Sequence, residues 1–385
     1  MSDILFTLTK DNLETGLRGI PVGYCPTSFV DAEKGLHYVD IPLTKLYSKE
    51  PEEIIYLLYH GEKGDQKEIE AFKNDLQNRQ MISPEIIQHI ENIPKKGTPM
   101  EVFCCAIMIL GMYEKKRDYE EDFLNLTAKL PYLVATVINS YSDWGKTPPP
   151  DPSLGYMENF TRMVNSPNKN EKQLLEIFKL FNILHYDHGG GNLSCFTGKT
   201  VASGQRHMYG SISAAMNALS GPLHGKANQE GLAFVKEMEK ELNGRYSQDI
   251  VENLLRKRLS EKKLVSGFGH AVLRVEDPRA TIFYQYAQEH FPENPLVKTA
   301  LLLRESGTKV LKENPKISNP YPNVDAMSGT ALCASGFDYP HFFTLLFGLS
   351  RAIGIAIQIV YERKYARGGK GVPITRPRYI YRPRS

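Results

Sequence analysis

The chain has 385 residues, 41% of them apolar and 24% charged, with a formal net charge of +3. That composition is ordinary for a soluble globular protein and leaves room for two domains and a large core. So small a charge gives no argument for nucleic-acid or membrane binding. The five cysteines lack a paired C-x-x-C spacing, so they indicate neither a disulfide framework nor a zinc site, and a reducing compartment is expected.

The first residues carry no basic region before an apolar run, so a secretory signal is not expected. Asp3, Asp11 and Glu14 argue against a transit peptide. The expected location is therefore cytoplasmic, with the mitochondrial matrix as the alternative if a presequence has been removed. Leu17–Gly23 and Gly35–Ile41, bounded by Gly and Pro, predict short strands or extended turns. From Glu52 the pattern turns helical, after Pro51 at a first-turn position. A long polar amphipathic segment follows over Gln66–Ile90.

Met100–Tyr113, apolar nearly all round, predicts a helix buried in a large core. Tyr119–Tyr141 predicts a further helix that Pro131 bends or splits. The four prolines between Trp144 and Pro152 require a loop. Helical periodicity returns at 172–184, 212–219, 229–242, 248–264, 280–290, 295–312 and 340–366. Strands do not alternate with helices, so the fold class is mainly α with a small β element near the N-terminus. Phe342–Val360 is apolar enough to test as a membrane span, but Arg351 near its centre would cost about 2.5–3.5 kcal/mol there. It reads as a buried core helix with one functional or ion-paired arginine.

Four stretches carry chemistry. In Leu184–Ser194, three glycines end a helix beside His188, and Asn192 and Ser194 offer polar groups for a ligand. The nearby Gly198-Lys199-Thr200 lacks the glycine and the preceding strand that a P-loop needs. In Gly221–Glu230, His224 sits at the apex of a turn near a helix N-terminus, where backbone donors would keep its imidazole neutral. In Ser266–Arg279, Gly267-Phe268-Gly269 sets up His270, followed by Arg274 and, after Asp277-Pro278, Arg279. In Asn319–Gly329, Asp325 stands in apolar surroundings that would raise its pKa and suit it to be a general base, or else it is an N-cap. A metal site is disfavoured, because no short ligand spacing is present and Arg274 and Arg279 oppose a cation.

These stretches, in this order, resemble the citrate synthase family in the form found in eukaryotes and some bacteria. The resemblance rests on DHGGGNLS, GPLHGKANQE, GFGHAVLR with DPR, and PNVDAMSG, and runs from about residue 180 to 376. It implies a two-domain citrate-synthase-like helical fold. Residues 1–225 and 337–385 would form a large domain, and 226–336 a small one closing over the site. It also implies a homodimer with a shared active site, oxaloacetate and acetyl-CoA as substrates, no bound cofactor and no metal. Asp325 would deprotonate acetyl-CoA, His224 would stabilise the enol or enolate, and His270 would protonate the oxaloacetate carbonyl. His188, Arg279 and Arg351 would hold oxaloacetate, with Arg376 reaching in from the partner subunit. Arg274 and Arg18 would meet coenzyme A. The implied reaction is that of a citrate (Si)-synthase. A 2-methylcitrate synthase using propionyl-CoA and a non-catalytic relative are the alternatives.

Three positions depart from the family pattern. Gly189 stands where that pattern has Glu, Lys226 replaces a small or apolar residue, and a Gly-rich segment over 367–371 precedes Arg376. The tail offers four arginines, at 376, 378, 382 and 384.

Overall fold

Fifteen α-helices and one small sheet are present among the described residues, 4–167 and 170–383, of the computed structural model. Asp3 and Arg384 lie outside them. The sheet is an antiparallel meander of β1 (Ser28–Asp31), β2 (Gly35–Tyr38) and β3 (Ile41–Pro42), pairing Ser28 with Tyr38 and Tyr38 with Ile41. Asp31 closes the first turn by accepting the amides of Glu33 and Lys34 at 2.9 and 2.8 Å.

The helices are α1 (Pro51–His60), α2 (Gln66–Arg79), α3 (Pro84–Glu91), α4 (Pro99–Glu114), α5 (Tyr119–Ser142), α6 (Tyr156–Met163), α7 (Glu171–His185), α8 (Leu193–Ser203), α9 (Met208–Leu219), α10 (Ala227–Leu242), α11 (Gln248–Ser260), α12 (Pro278–His290), α13 (Pro295–Lys312), α14 (Ser328–Ala334) and α15 (Phe343–Val360). Their starts are chemically marked. Asp65 with Glu68 and Thr98 with Glu101 form capping boxes, and Asp277-Pro278 and Asn294-Pro295 place a cap before a first-turn proline.

Helix α15 is the axis of the core. All its residues except Phe347 are buried, and α5, α7, α8 and α9 pack around it. The surrounding stretch Pro340–Tyr365 is long and apolar enough to cross a membrane, but 94% of its apolar window is buried inside the fold. A second group, α10 to α14, packs mainly on itself.

Several expectations change. Leu17–Gly23 is not a strand, because Gly16, Leu17 and Gly19 all adopt positive φ, which breaks extended backbone. Gln66–Ile90 is two helices, since Ser83 caps a new one at Pro84. Helix α5 is not split at Pro131. Proline there cannot donate to the Thr127 carbonyl, and the Tyr156 hydroxyl of α6 takes that place at 2.9 Å. Helices α6 and α8 fall outside the predicted elements. The small, β-branched sequence of α8 is instead started by Asn192, whose side chain accepts the Cys195 amide at 3.0 Å.

Gly354 lets α15 touch the end of α7. A Cβ there would lie 2.2 Å from the Tyr186 carbonyl oxygen. Because backbone is the obstacle, Gly354→Ala should lower stability by about 1–3 kcal/mol or more. The urea unfolding midpoint measures this, and an unchanged midpoint contradicts the close packing.

Candidate active site

The turn at 267–270 and the loop at 319–325 are joined by backbone. Phe268 and Pro322 form an antiparallel bridge. The Gly269 amide donates to Tyr321 O at 3.0 Å, and the Asn323 amide to Gly267 O at 2.9 Å. The Asn323 side chain donates to Gly269 O at 2.9 Å and accepts the Asp325 amide at 2.9 Å. Gly267 has φ +83, and a Cβ on it would lie 2.6 Å from Ala326 Cα, so only glycine fits. This pairing fixes His270 and Asp325 as one unit.

His270 Nδ1 accepts the amides of Val272 and Leu273, both at 3.0 Å. Its proton therefore belongs on Nε2. Burial, helped by the charge of Arg279, holds its pKa below the usual histidine value. The His188 ring centroid lies 5.4 Å from that of His270. Among the described residues, the buried Nε2 of His188 has no partner. Burial and then Arg279 and Arg351 hold His188 well below the usual range.

His224 lies in the turn before α10, and its partner comes from elsewhere than expected. Nε2 accepts the Ser194 amide at 3.2 Å and lies 2.9 Å from the Ser194 hydroxyl. The donor is thus the first turn of α8, not of the helix that follows His224. Asn192 and Ser194 are accordingly spent on the α8 cap and on His224, where a ligand-binding role had been expected. Burial, then the charge of Arg351, pushes His224 down to about 4. The ring is neutral and carries its proton on Nδ1.

Asp325 is pushed up to about 6 by burial, with Asp277 and Glu230 adding to the rise and Arg279 opposing it. Arg279 is itself buried and forks onto Asp277, with Nη2 at 2.7 Å. Arg351 is 2% exposed. Its Nε donates to His185 O at 3.0 Å and its guanidinium lies 4.8 Å from the Phe347 ring centroid. Among the described residues Arg351 makes no direct ion pair; burial and Arg279 oppose its charge, and Asp187 favours it from beyond contact distance. His185, at the end of α7, is buried, stacks on Phe181, and is pushed down to about 3 by burial.

His188, His270, Asp325, Arg279 and Arg351 therefore form one electrostatic cluster, which His224 joins through Arg351. The other candidates stand apart from it. Arg376 is exposed, in a segment tied down where the Thr375 amide donates to Ser203 Oγ at 2.9 Å. Arg274 is exposed, and its Nη1 folds back onto the carbonyls of Val272 and Leu273 at 2.9 and 2.8 Å. Arg18 lies in an exposed N-terminal turn. Among the described residues no three metal-ligating side chains converge. The sequence reading missed the partner roles of Ser194, Asn323 and Asp277. Only Asp277, two residues before an arginine, carried a local signal.

Comparison with known proteins gives a consistent answer. The family described as "Citrate synthase, C-terminal domain" matches residues 16–384. The peroxisomal citrate synthase of Saccharomyces cerevisiae is 34% identical over 402 aligned positions, covering 98% of this chain and 85% of that protein. The mitochondrial citrate synthase of the same yeast is 33% identical, covering 94% and 79%. The solved citrate synthase of Thermotoga maritima superposes with a TM-score of 0.80 at 28% identity, covering 96% and 95%. The Thermoplasma acidophilum enzyme, solved as a ternary complex with carboxymethyl coenzyme A and oxaloacetate, has a TM-score of 0.83 at 24% identity, covering 96% of each chain. That last likeness is one of fold.

The raised pKa of Asp325 has a stability consequence. Its neutral form is favoured in the fold, so that contribution is present below the ordinary value of 3.8 and lost as pH rises through about 6. Asp325→Asn should therefore stabilise the protein at pH 8, by at most about 3 kcal/mol and by less where the cleft is open to water, and much less so at pH 4.5. Thermal unfolding of both proteins at the two pH values checks this. Equal stability at pH 8 contradicts it.

Proposed function

Given that the chain belongs to the citrate synthase family, we propose that it condenses acetyl-CoA with oxaloacetate and hydrolyses the citryl-CoA formed, with the acyl-CoA as a co-substrate and no resident cofactor. The observation that carries the proposal is the buried, unpaired Arg351 beside two neutral histidines and a carboxyl poised near 6. Oxaloacetate is a dianion. Among the described residues Arg351 has no direct ion pair, Arg279 has Nη1 left over from its fork on Asp277, and His188 has a free Nε2. His270 then points Nε2–H at the keto oxygen.

Asp325 takes a proton from the thioester methyl group. A carboxylate alone is too weak a base for this carbon acid, so Nδ1–H of His224 stabilises the thioester oxygen as it gains charge, a contribution of about 3–4 kcal/mol for one such donor. His270 delivers its proton to the keto oxygen as the C–C bond forms, and water then releases CoA. The self-packing of α10 to α14 supports residues 226–336 as a small domain closing on residues 1–225 and 337–385, which would exclude water until condensation. Arg274 and Arg18, both exposed, are assigned to coenzyme A.

We assign Arg376 to the site of a partner subunit in a homodimer. The exposed tail supports this, as do exposed Cys105 and Met112 on α4 and Leu193 on α8. Five free thiols suit a reducing compartment such as the cytoplasm, although the yeast relatives are named peroxisomal and mitochondrial.

Four outcomes are expected. CoA release with oxaloacetate should be faster with acetyl-CoA than with propionyl-CoA, and the reverse order would make the protein a 2-methylcitrate synthase. Since Asp325 must be ionised to act, kcat should fall as pH drops below about 6. Asp325→Ala should lose condensation yet bind oxaloacetate by calorimetry, and normal turnover would remove its role as base. For Arg376, co-expressed Arg376→Ala and Asp325→Ala subunits, each inactive alone, should recover about a quarter of wild-type activity through mixed dimers. No recovery means that Arg376 does not serve the partner's site.

A further inference from the structure

We infer that Gln358 is a positioning residue for His188, itself held by a buried Lys199–Glu362 ion pair; this rests on His188 meeting the keto-diacid as proposed above. Among the described residues His188 Nε2 has no hydrogen-bond partner, so the ring's position depends on how its chain neighbours are held. Asp187 precedes it and is 0% exposed. Among the described residues this carboxylate has no ion pair, and it is held by hydrogen bonds instead. Thr27 Oγ1 and Ser28 Oγ donate to Oδ2, the latter at 2.8 Å. Gln358 Nε2 donates to both oxygens, at 2.8 and 3.1 Å.

The same Gln358 nitrogen lies 3.3 Å from the carbonyl oxygen of Gly189, the residue after His188. Gly189 has φ +72 and no side chain, so backbone contacts alone fix this position. Gln358 thus grips both neighbours of His188. The loop also lies directly on it: a Cβ on Gly190 would sit 3.1 Å from Gln358 Oε1 and 2.9 Å from Lys199 Nζ.

The amide cannot flip. With Nε2 turned to Asp187, Oε1 faces Cys195 Sγ at 3.2 Å and Lys199 Nζ at 3.4 Å. A flipped amide would present N–H to an ammonium and oxygen to a carboxylate. Lys199 is pinned in turn by Glu362 at 2.9 Å, with both side chains about nine-tenths buried. Its charge polarises the amide and strengthens the bond to Asp187. The Gly198-Lys199-Thr200 stretch, which has no phosphate to bind, therefore has a place in the site's support.

The test measures oxaloacetate affinity by calorimetry, the acetyl-CoA KM, and the His188 ring resonances in ligand-free, histidine-labelled protein. Gln358→Leu should weaken oxaloacetate by about tenfold while the acetyl-CoA KM stays within about twofold, and should add nothing in a His188→Ala background. Gln358→Glu, which keeps the shape but turns an acceptor toward Asp187, should act in the same direction if the Leu variant folds poorly. Wild-type affinity in a folded variant, or an equal loss with and without His188, overturns the inference. The resonances separate this from the function itself. They should shift in both variants even if oxaloacetate is not the ligand, and unshifted resonances contradict the positioning role whatever the protein binds.

Discussion

The short antiparallel bridge between residues 267–269 and 321–323 is the constraint on which the site depends. It joins two turns more than fifty residues apart in the chain using backbone groups alone, and Asn323 seals it from both sides. Backbone pairing of this kind tolerates little slack, because each buried N–H and C=O left unpaired carries a desolvation cost. His270 and Asp325 are thereby carried as one body. The proposed closure of α10 to α14 toward α15 would move them together against His188, His224 and Arg351.

Burial sets the electrostatics. It drives all three site histidines to the neutral form and Asp325 toward the protonated form. Each is the direction expected when charge is removed from water. The two buried arginines act differently. Arg279 is neutralised by Asp277, so it tempers Asp325 without flooding the site with charge. Arg351 has no direct ion pair among the described residues, and Asp187 favours its charge only from beyond contact distance, which leaves room for a dicarboxylate. The neutral histidines are thus left as directed donors, His224 through Nδ1 and His270 through Nε2, because backbone amides occupy the opposite nitrogen of each ring.

Much of this was legible in the chain. The four His- and Asp-bearing stretches announced themselves through Gly and Pro punctuation, and α13 was readable to its last residue because its period, cap and proline agree. Helix α8 was not, since its small and β-branched residues have no apolar stripe, and its existence decides what His224 meets. The same limit hid Ser194 and Gln358, whose partners lie 30 and 171 residues away. Pro131 misled because the acceptor it orphaned is satisfied by a tyrosine from another helix. Local chemistry was visible in the sequence, while the hydrogen bonds that position it come from the fold.

The most direct measurement is deuterium uptake into the methyl group of acetyl-CoA, in heavy water, with an unreactive dicarboxylate filling the proposed keto-diacid site. Proton removal is then isolated from condensation. The account predicts exchange in the wild type, its loss in Asp325→Asn and His224→Asn, and its survival in His270→Asn, whose imidazole acts only when the new bond forms. Exchange that persists without Asp325, or that fails equally without His270, would contradict the division of labour among the three side chains.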